Sequence, residues 1–213
     1  MISYFSTELT TTRQISDLRF GIPIILGSNG TYEMIIAIEP LNEETFQKIL
    51  EYNNSSDLKP YLAITKNRAN FLKARVYDGN IARLKLPTPI SFNWIKSTAD
   101  PSEDFEYPLK GPYYSLREGN SNISKVAINF CKKAELLPAA LIVPINSKEL
   151  KELKKSGFIY QEISKNFDTK RSCDNLSLIS SGRVPIPGGL NSKVSVFRDL
   201  NSLIEHYAIE IGS

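Results

Sequence analysis

The chain has 213 residues and 41% of them are hydrophobic, which is typical of a folded protein with one large domain or one domain and an appendage. Lys and Arg number 26 and Asp and Glu number 23, so the net charge is +3. Without a long basic run, this composition argues against nucleic-acid binding. No apolar run approaches the ~20 residues of a membrane helix, so we expect no membrane association.

Short apolar strands and amphipathic helices alternate along the first three quarters of the chain. Residues 1–12 are expected to form a loose arm with little pattern. Strands are predicted at 23–26, 32–38, 61–64, 81–86 and 139–143. Helices are predicted at 13–20, 42–50, 65–74, 91–98, 124–137 and 147–157. This alternation favours an α+β or α/β domain over residues 13–157.

Two strands differ in their hydrophobic pattern. Residues 139–143 are apolar on both alternating sets, which is typical of a strand buried on both faces. We therefore expect a mixed sheet with this strand in its middle and with helices on both faces. Residues 81–86 alternate apolar and basic side chains, which predicts a half-exposed strand.

Single residues mark several turns and helix ends. Asn29 and Gly30 predict a tight turn between two antiparallel strands, because both positions of a type I′ turn need positive φ. Asn42 and Ser147 are expected to cap the helices that follow them. Pro138 is expected to stop the helix before the central strand, because proline lacks the N–H that a helix interior needs.

The C-terminal quarter has a different pattern. Residues 158–182 mix short apolar runs with polar residues and are expected to be a connector. From residue 183 the pattern predicts strands at 183–187, 193–197 and 203–211, the last two joined as a hairpin. So small a β appendage, residues 183–213, is marginal alone. It must pack on the main domain, on a second chain or on a further domain.

Three stretches resemble two known enzyme families. Residues 17–24, DLRFGIPI, resemble the DLRxGxPV opening of 3,4-dihydroxy-2-butanone 4-phosphate synthase. Residues 108–145 resemble a later segment of that family, which contains a GHTEAA motif. Residues 183–212 resemble the ARxPT and GxEHxAxxxG strands that open GTP cyclohydrolase II. Their order is that of long bacterial cyclohydrolase II proteins, in which a degenerate synthase-like region comes first, so the resemblance implies a synthase-like fold.

The departures from these families limit the chemistry that the resemblance implies. The synthase binds Mg²⁺ with an acidic loop, but residues 27–33 contain one acid, Glu33. The metal-binding histidine and the neighbouring glutamate of the synthase align with Ile123 and Lys125. The zinc and GTP sites of cyclohydrolase II would begin beyond Ser213. We therefore expect no magnesium, zinc or other cofactor in this chain and assign no catalytic residue.

The expected interface residues lie in the C-terminal strands. They are Arg183, Val196, Phe197, His206 and Tyr207. His206 matches the EH pair of the cyclohydrolase opening, and we favour a structural role for it. Because neighbours on a strand point to opposite faces, Glu205 and His206 cannot act on one target.

Other residues have a functional and a structural interpretation. Glu33 could be a relic of the acidic loop, but a solvated strand residue is the favoured interpretation. Lys148, Lys151, Lys154 and Lys155 could bind phosphate, although such a group is more often the solvated face of a helix. Cys131 is most simply a packing residue.

The cellular setting follows from the cysteines and the N-terminus. Two cysteines, Cys131 and Cys173, are too few for a disulfide framework, and the first residues lack the regions of a secretory signal. Both observations favour a reduced, cytoplasmic setting.

The resulting hypothesis is a riboflavin-biosynthesis protein of the GTP cyclohydrolase II type. This chain would be its catalytically inactive, synthase-like region, a pseudoenzyme with a structural, dimerisation or docking role. The expected partner is a second copy or a cyclohydrolase II-type domain, and neither nucleic acid nor a membrane. Two alternatives stay open: an enzyme acting on GTP or a sugar phosphate with a rebuilt active site, and a folded relic without a function.

Overall fold

A computed structural model describes residues 7–53, 59–163, 176–185, 192–199 and 205–211. The chain divides into two compact units, Met1–Thr169 and Lys170–Ser213. The helices of the first unit are α1 (Thr7–Arg19), α2 (Glu43–Asn53), α3 (Lys66–Phe71), α4 (Phe92–Ala99), α5 (Asn122–Lys133) and α6 (Ser147–Lys155), with a 3₁₀ turn at Pro101–Asp104. Its strands are β1 (Ile24–Ser28), β2 (Thr31–Ala37), β3 (Tyr61–Thr65), β4 (Ile81–Lys85), β5 (Ala139–Ile145) and β6 (Tyr160–Glu162). The second unit contains β7 (Leu176–Arg183), β8 (Ser192–Asp199) and β9 (Glu205–Ile211).

A mixed six-stranded sheet organises the first unit. Its strand order is β4-β3-β5-β2-β1-β6, with β1 and β6 parallel and the other neighbours antiparallel. Helices α1 and α5 pack on one face, and α2, α3, α4 and α6 pack on the other. In β5 every residue except Pro144 is buried. The predicted α+β fold, with a central buried strand and helices on both faces, is confirmed.

The local turn and cap signals at the start of the chain are confirmed as well. Asn29 and Gly30 have φ values of 51° and 79° and connect β1 to β2 as an antiparallel pair. The Thr45 backbone N–H donates to Asn42 Oδ1 at 2.8 Å, so Asn42 caps α2.

Helix α1 begins earlier than its sequence pattern predicts. It starts at Thr7 instead of Arg13, so residues 7–12 of the expected loose arm are helical. Threonines are weak helix formers, but this segment is held by tertiary contacts. The Thr11 hydroxyl lies 3.3 Å from Gln161 Nε2, and Gln14 Nε2 donates to the Ile159 carbonyl at 3.5 Å. These contacts to β6 and the residue before it override the local propensity.

The strand predicted at 81–86 is present as β4, but the expectation that it is half-exposed is wrong, because its first four residues are buried. Arg83 in β4 is 4% exposed. Its guanidinium forms an ion pair of 2.8 Å with Asp78 and donates to the Glu118 carbonyl at 2.9 Å. A buried arginine is tolerated when its charge is paired and its N–H groups are bonded. The basic residue therefore marks a buried network and not a solvated face.

Two helices end before their predicted limits. Helix α3 ends at Phe71 because Lys73 has a φ of 57°, and α5 ends at Lys133 because Glu135 has a φ of 61°. Pro138 therefore does not stop α5. Arg19 Nε donates to the Ala134 carbonyl at 2.9 Å and satisfies one of the carbonyl groups at the end of α5.

The N-cap of α6 lies one residue before the predicted one. Asn146 accepts hydrogen bonds from the backbone N–H groups of Lys148 and Glu149, and Glu149 accepts one from the Asn146 N–H. This reciprocal capping box satisfies more backbone groups than a Ser147 cap could.

The second unit is a three-stranded antiparallel sheet of order β7-β8-β9. The predicted hairpin over 192–211 is confirmed by the pairing of β8 with β9. The strand predicted at 183–187 is wrong at residues 184 and 185, because β7 ends at Arg183, and residues 186 and 187 lie outside the described residues. Strand β7 lies in the expected connector, where its serines and a register shift between Leu178 and Ser180 hide the alternation of a regular strand.

In the part of the chain that the structure describes, no helix combines the length and the apolar character needed to span a membrane.

Candidate functional site

Three polar side chains meet near the N-terminus of α5. The Tyr61 hydroxyl in β3 donates to Glu33 Oε1 in β2 at 3.0 Å, and it lies 2.9 Å from Ser124 Oγ in α5. We call these three residues the Glu33 cluster. Tyr61 and Ser124 are buried, with 5% and 0% of their surface exposed. The cluster lies on the α1/α5 side of the sheet, at a place where the segments aligned with the synthase motifs converge.

The carboxyl group of Glu33 has an unusual environment. Its Oε2 is shielded from solvent and has no hydrogen-bond partner. Burial raises the pKa of this carboxyl to about 7, and the hydrogen bond from Tyr61 and the positive charge of Arg83 only partly offset that rise. Burial also raises the pKa of the Tyr61 hydroxyl. The favoured interpretation of Glu33 as a solvated strand residue is therefore wrong.

A carboxyl with a pKa near 7 can both donate and accept a proton at neutral pH. The free Oε2 gives Glu33 one unused position for a hydrogen bond. Perturbed carboxyls of this kind also occur in purely structural networks. The hydrogen-bonded partner of this carboxyl is the Tyr61 hydroxyl, a weak acid whose raised pKa keeps it protonated at neutral pH. The cluster therefore has one unused acceptor, Oε2, which is shielded from solvent.

The cluster does not fit a magnesium ion. Mg²⁺ prefers near-octahedral coordination by oxygen atoms, including carboxylates. Ile123, which aligns with the metal-binding histidine of the synthase, is 4% exposed and packs in the apolar layer under α5. Glu33 is the single carboxylate of the cluster. Among the described residues no group of three or more His, Cys, Asp or Glu side chains could hold a metal.

A second buried polar network lies beside a cavity of about 940 Å³. Arg68 of α3 forms a bidentate pair with Asp104 and donates to the carbonyls of Ser97 and Thr98. Lys110 donates to Asp104 and to the Ser97 carbonyl. The hydrogen bonds from Arg68 lower the pKa of Asp104 to about 2. These groups satisfy one another, so the network joins α3 to α4 and its following loop and is structural.

The sequence analysis missed this network for a physical reason. Asp104 and Lys110 lie in an acidic, proline-rich stretch without a periodic pattern. Arg68 stands 36 positions before its partner Asp104. The one local signal is the position of Arg68 beside the inward-facing Ala69, where a charged residue needs a buried partner.

The lysines of α6 are exposed along the helix. They are Lys148, Lys151, Lys154 and Lys155. The Lys154 ammonium lies 3.6 Å from the centre of the Tyr160 ring, a cation–π contact. This arrangement is that of a solvated helix face, and the four lysines do not converge on a common point with a buried polar group.

The second unit contains the five expected interface residues. Val196 pairs with Tyr207 and Phe197 pairs with His206 across β8 and β9, so the structure brings these four together. Arg183 lies apart from them at the end of β7, where it pairs with Lys193. Arg183, His206 and Tyr207 are exposed, whereas Val196 and Phe197 are half-buried.

One face of this small sheet is apolar and exposed. In β9, Tyr207, Ile209 and Ile211 are 64%, 58% and 65% exposed. They share a face with Val194 and Val196, because Val194 pairs with Ile209 and Val196 with Tyr207. The sequence analysis named Tyr207 and Val196 but missed Ile209 and Ile211, although their i, i+2 spacing from Tyr207 indicates the same face.

Comparison with known proteins identifies the class of fold first. No family model matches the chain. A solved 3,4-dihydroxy-2-butanone 4-phosphate synthase in its cation-free form is similar at a TM-score of 0.52, with 15% identity, over 71% of this chain and 91% of that chain. A two-domain synthase of the same name from A. baumannii has a TM-score of 0.47, with 14% identity, over 95% of this chain and 70% of that chain. The match at a TM-score of 0.52 shows that the 71% of the chain it covers has the fold of the synthase.

Among curated proteins, the chain is similar to a GTP cyclohydrolase-2 from Azospirillum brasilense. It is 21% identical over 206 residues, which cover 94% of this chain and 53% of the relative. The chain spans about half the length of that protein. The resemblance to a synthase-like region of a GTP cyclohydrolase II-type protein, predicted from three sequence stretches, is confirmed by these two findings.

Proposed function

We propose that this chain is a synthase-like region without synthase activity in a cytoplasmic riboflavin-biosynthesis protein of the GTP cyclohydrolase II type. The observation that carries the proposal is Ile123. The residue that aligns with the metal-binding histidine is an apolar side chain packed in the core, so a cation site cannot form without repacking this layer. Lys125 and the single carboxylate of Glu33 support the same conclusion.

The role of such a region is structural. The exposed apolar face of β8 and β9 supports a role in dimerisation or in docking a cyclohydrolase II-type domain, because exposed apolar patches of this kind mark interaction surfaces. The relationship to a GTP cyclohydrolase-2 of about twice the matched length supports a partner domain of that type. On this proposal the Glu33 cluster and the α6 lysines bind no substrate.

The test is a synthase assay with ribulose 5-phosphate and Mg²⁺, with an active 3,4-dihydroxy-2-butanone 4-phosphate synthase as the positive control. We expect no product above the rate of the protein-free reaction. A parallel thermal-shift titration with ribulose 5-phosphate and GTP, each with and without Mg²⁺ or Zn²⁺, should leave the melting temperature unchanged. Saturable, Mg²⁺-dependent turnover would overturn the proposal.

A second candidate function is an enzyme that binds a phosphorylated ligand, GTP or a sugar phosphate, with a rebuilt active site at the Glu33 cluster. The unpartnered Oε2 and the raised pKa of Glu33 favour this location over the exposed lysines of α6. On this hypothesis the ligand raises the melting temperature, and Glu33→Gln reduces that shift while Lys148→Ala leaves it unchanged. An unchanged melting temperature of the unsubstituted protein at millimolar ligand contradicts the hypothesis.

A further inference from the structure

The cavity of about 940 Å³ beside the Arg68 network is large enough for a small organic molecule. It lies on the α3/α4 side of the main sheet, whereas the Glu33 cluster lies on the α1/α5 side. Three cationic side chains line it, those of Arg68, Lys73 and Lys110, and Asp104 is the one acid among the lining residues. The lining is therefore positively charged.

The buried part of this charge is not balanced within the network. The side chains of Arg68 and Lys110 are 8% and 5% exposed, and both are paired with the same carboxylate, that of Asp104. The hydrogen bonds from Arg68 hold the pKa of Asp104 at about 2, so this carboxylate carries its full negative charge at neutral pH. Two cations and one anion leave a net charge of +1. The carbonyl dipoles at the end of α4 offset part of that charge, but a buried charge is best stabilised by an ion of opposite sign.

Both cations also have an N–H group that the network does not use. The Lys110 ammonium has three N–H groups, and among the described residues two of them are bonded, to the Ser97 carbonyl and to Asp104. The Arg68 Nη1 atom has two N–H groups, and one of them is bonded, to Asp104. Because both side chains line the cavity, an anion inside it can accept a hydrogen bond from each.

The remaining wall of the cavity is largely aromatic and aliphatic. Phe71 and Phe105 line it and are 68% and 98% exposed, so an apolar ligand would remove aromatic surface from water. Tyr113 forms a further wall and is held by Trp94, with the ring centres 5.9 Å apart. The Arg68 guanidinium lies 5.6 Å from the centre of the Phe71 ring. The cationic and the aromatic parts of the lining are therefore adjacent.

We propose that this cavity binds a small aromatic monocarboxylate. Its carboxylate accepts hydrogen bonds from Arg68 and Lys110, and its ring packs against the aromatic lining. This inference goes beyond the proposed function and does not rest on it, because the cavity and the Glu33 cluster lie on opposite sides of the sheet.

The charge of the network selects a carboxylate over a phosphate ester. A carboxylate carries one negative charge and two oxygen atoms, which match the net charge of +1 and the two unused N–H groups. A phosphate ester is close to a dianion at neutral pH and would leave a negative charge in excess beside Asp104. Ribulose 5-phosphate and GTP are therefore not ligands of this cavity.

The test is isothermal titration calorimetry of the full chain at neutral pH with three matched probes. They are 2-naphthoate, its neutral analogue 2-naphthalenemethanol, and acetate, which has the charge without the ring. We expect 2-naphthoate to bind saturably at one site, with a Kd at least about tenfold lower than that of either other probe, because charged hydrogen bonds and ring burial both contribute. Lys110→Met keeps an unbranched side chain and should raise the Kd of 2-naphthoate at least about tenfold.

A pair of asparagine variants keeps the test decisive if Lys110→Met does not fold. Asn67 is an exposed residue of the lining in the first turn of α3, where an acid is tolerated. Asn67→Asp places a carboxylate at the cavity and should raise the Kd of 2-naphthoate at least about threefold. Asn70→Asp makes the same change on the same helix, outside the lining, and should leave Kd unchanged. Far-ultraviolet circular dichroism checks that each variant keeps the fold.

Three results would each overturn the inference. The first is the absence of saturable 2-naphthoate binding. The second is equal affinity for 2-naphthoate and 2-naphthalenemethanol, which would show that the cations do not contribute. The third is a Kd that changes as much in Asn70→Asp as in Asn67→Asp. The synthase assay with ribulose 5-phosphate and Mg²⁺ tests the proposed function separately, so either can fail while the other holds.

Discussion

The two units use apolar strands in opposite ways. In the first unit, residues 139–143 of β5 are buried because helices cover both faces of the sheet. In the second unit, Tyr207, Ile209 and Ile211 of β9 remain more than half exposed. Both strands contain branched apolar residues, so the strand pattern alone does not determine burial. Among the described residues, the first unit buries its central strand, whereas the second leaves an apolar strand face exposed.

The largest effect that would test this comparison is expected from Arg68→Ala in the first unit. The guanidinium is 8% exposed and bonds Asp104 and the carbonyls of Ser97, Thr98 and Asp100. Its removal leaves the carbonyls of Thr98 and Asp100 without this donor and leaves Asp104 with Lys110 alone, so we expect a loss of about 3–5 kcal/mol in the free energy of unfolding, measured with urea. Lys48→Ala, which breaks an exposed pair with Glu44, is the control and should cause no measurable change. A loss for Arg68→Ala as small as that of the control would contradict the network.

A slightly smaller effect is expected from Leu141→Ala in the centre of β5. This side chain is fully buried, so the variant loses transfer free energy and leaves a cavity. We expect the free energy of unfolding to fall by about 2–5 kcal/mol, again measured with urea. A change below about 1 kcal/mol would show that the core of the first unit is less complete than the structure indicates.

A pH-dependent effect is expected at Glu33. Its pKa is raised from 4.5 to about 7 in the folded protein, so the folded state binds a proton that the unfolded state has lost. The stability contributed by this group is therefore fully present below pH 4.5 and is lost as the pH rises through 7. Glu33→Gln should remove this dependence and be the more stable protein at pH 8. Urea midpoints at pH 5 and pH 8 measure it, and parallel profiles for the two proteins would contradict it.

The smallest effect on unfolding is expected from Ile209→Ala in the second unit. Because 58% of the side chain is exposed, its truncation in the monomer should change the free energy of unfolding by less than about 0.5 kcal/mol. Urea unfolding of the full chain, followed by circular dichroism, measures this change. A loss comparable to that of Leu141→Ala would mean that β9 is covered within a single copy, and the contrast between the two units would fail.

Local signals explain what the sequence could predict. The Asn29–Gly30 turn and the Asn42 cap depend on neighbours within a few positions, and the central strand depends on a continuous apolar run. Each of these patterns is compatible with few local structures. They were therefore enough to predict the central strand of the main sheet and the β1–β2 hairpin.

Long-range pairing explains what the sequence could not predict. The alternating pattern predicts a solvated side chain for Arg83. In the fold, its guanidinium instead donates hydrogen bonds to Asp78 and to the Glu118 carbonyl. Glu33 becomes perturbed only because Tyr61, 28 positions away, and the start of α5 fold over it. The bulge in β7 breaks the period-2 pattern that identifies a strand. For the candidate site, the resemblance located Glu33 and Ile123, but only the fold showed that one is shielded and the other is part of the core.

The packing of α5 controls how fast the thiol of Cys131 can react. It is fully buried and donates to the Ala139 carbonyl at 3.7 Å, and burial raises its pKa to about 12. Alkylating reagents need an accessible thiolate, so this group reacts only when α5 separates from β5. In a Cys173→Ser protein, the alkylation rate of the remaining thiol would therefore report how often α5 separates from β5. This rate measures local opening in the first unit without a spectroscopic label.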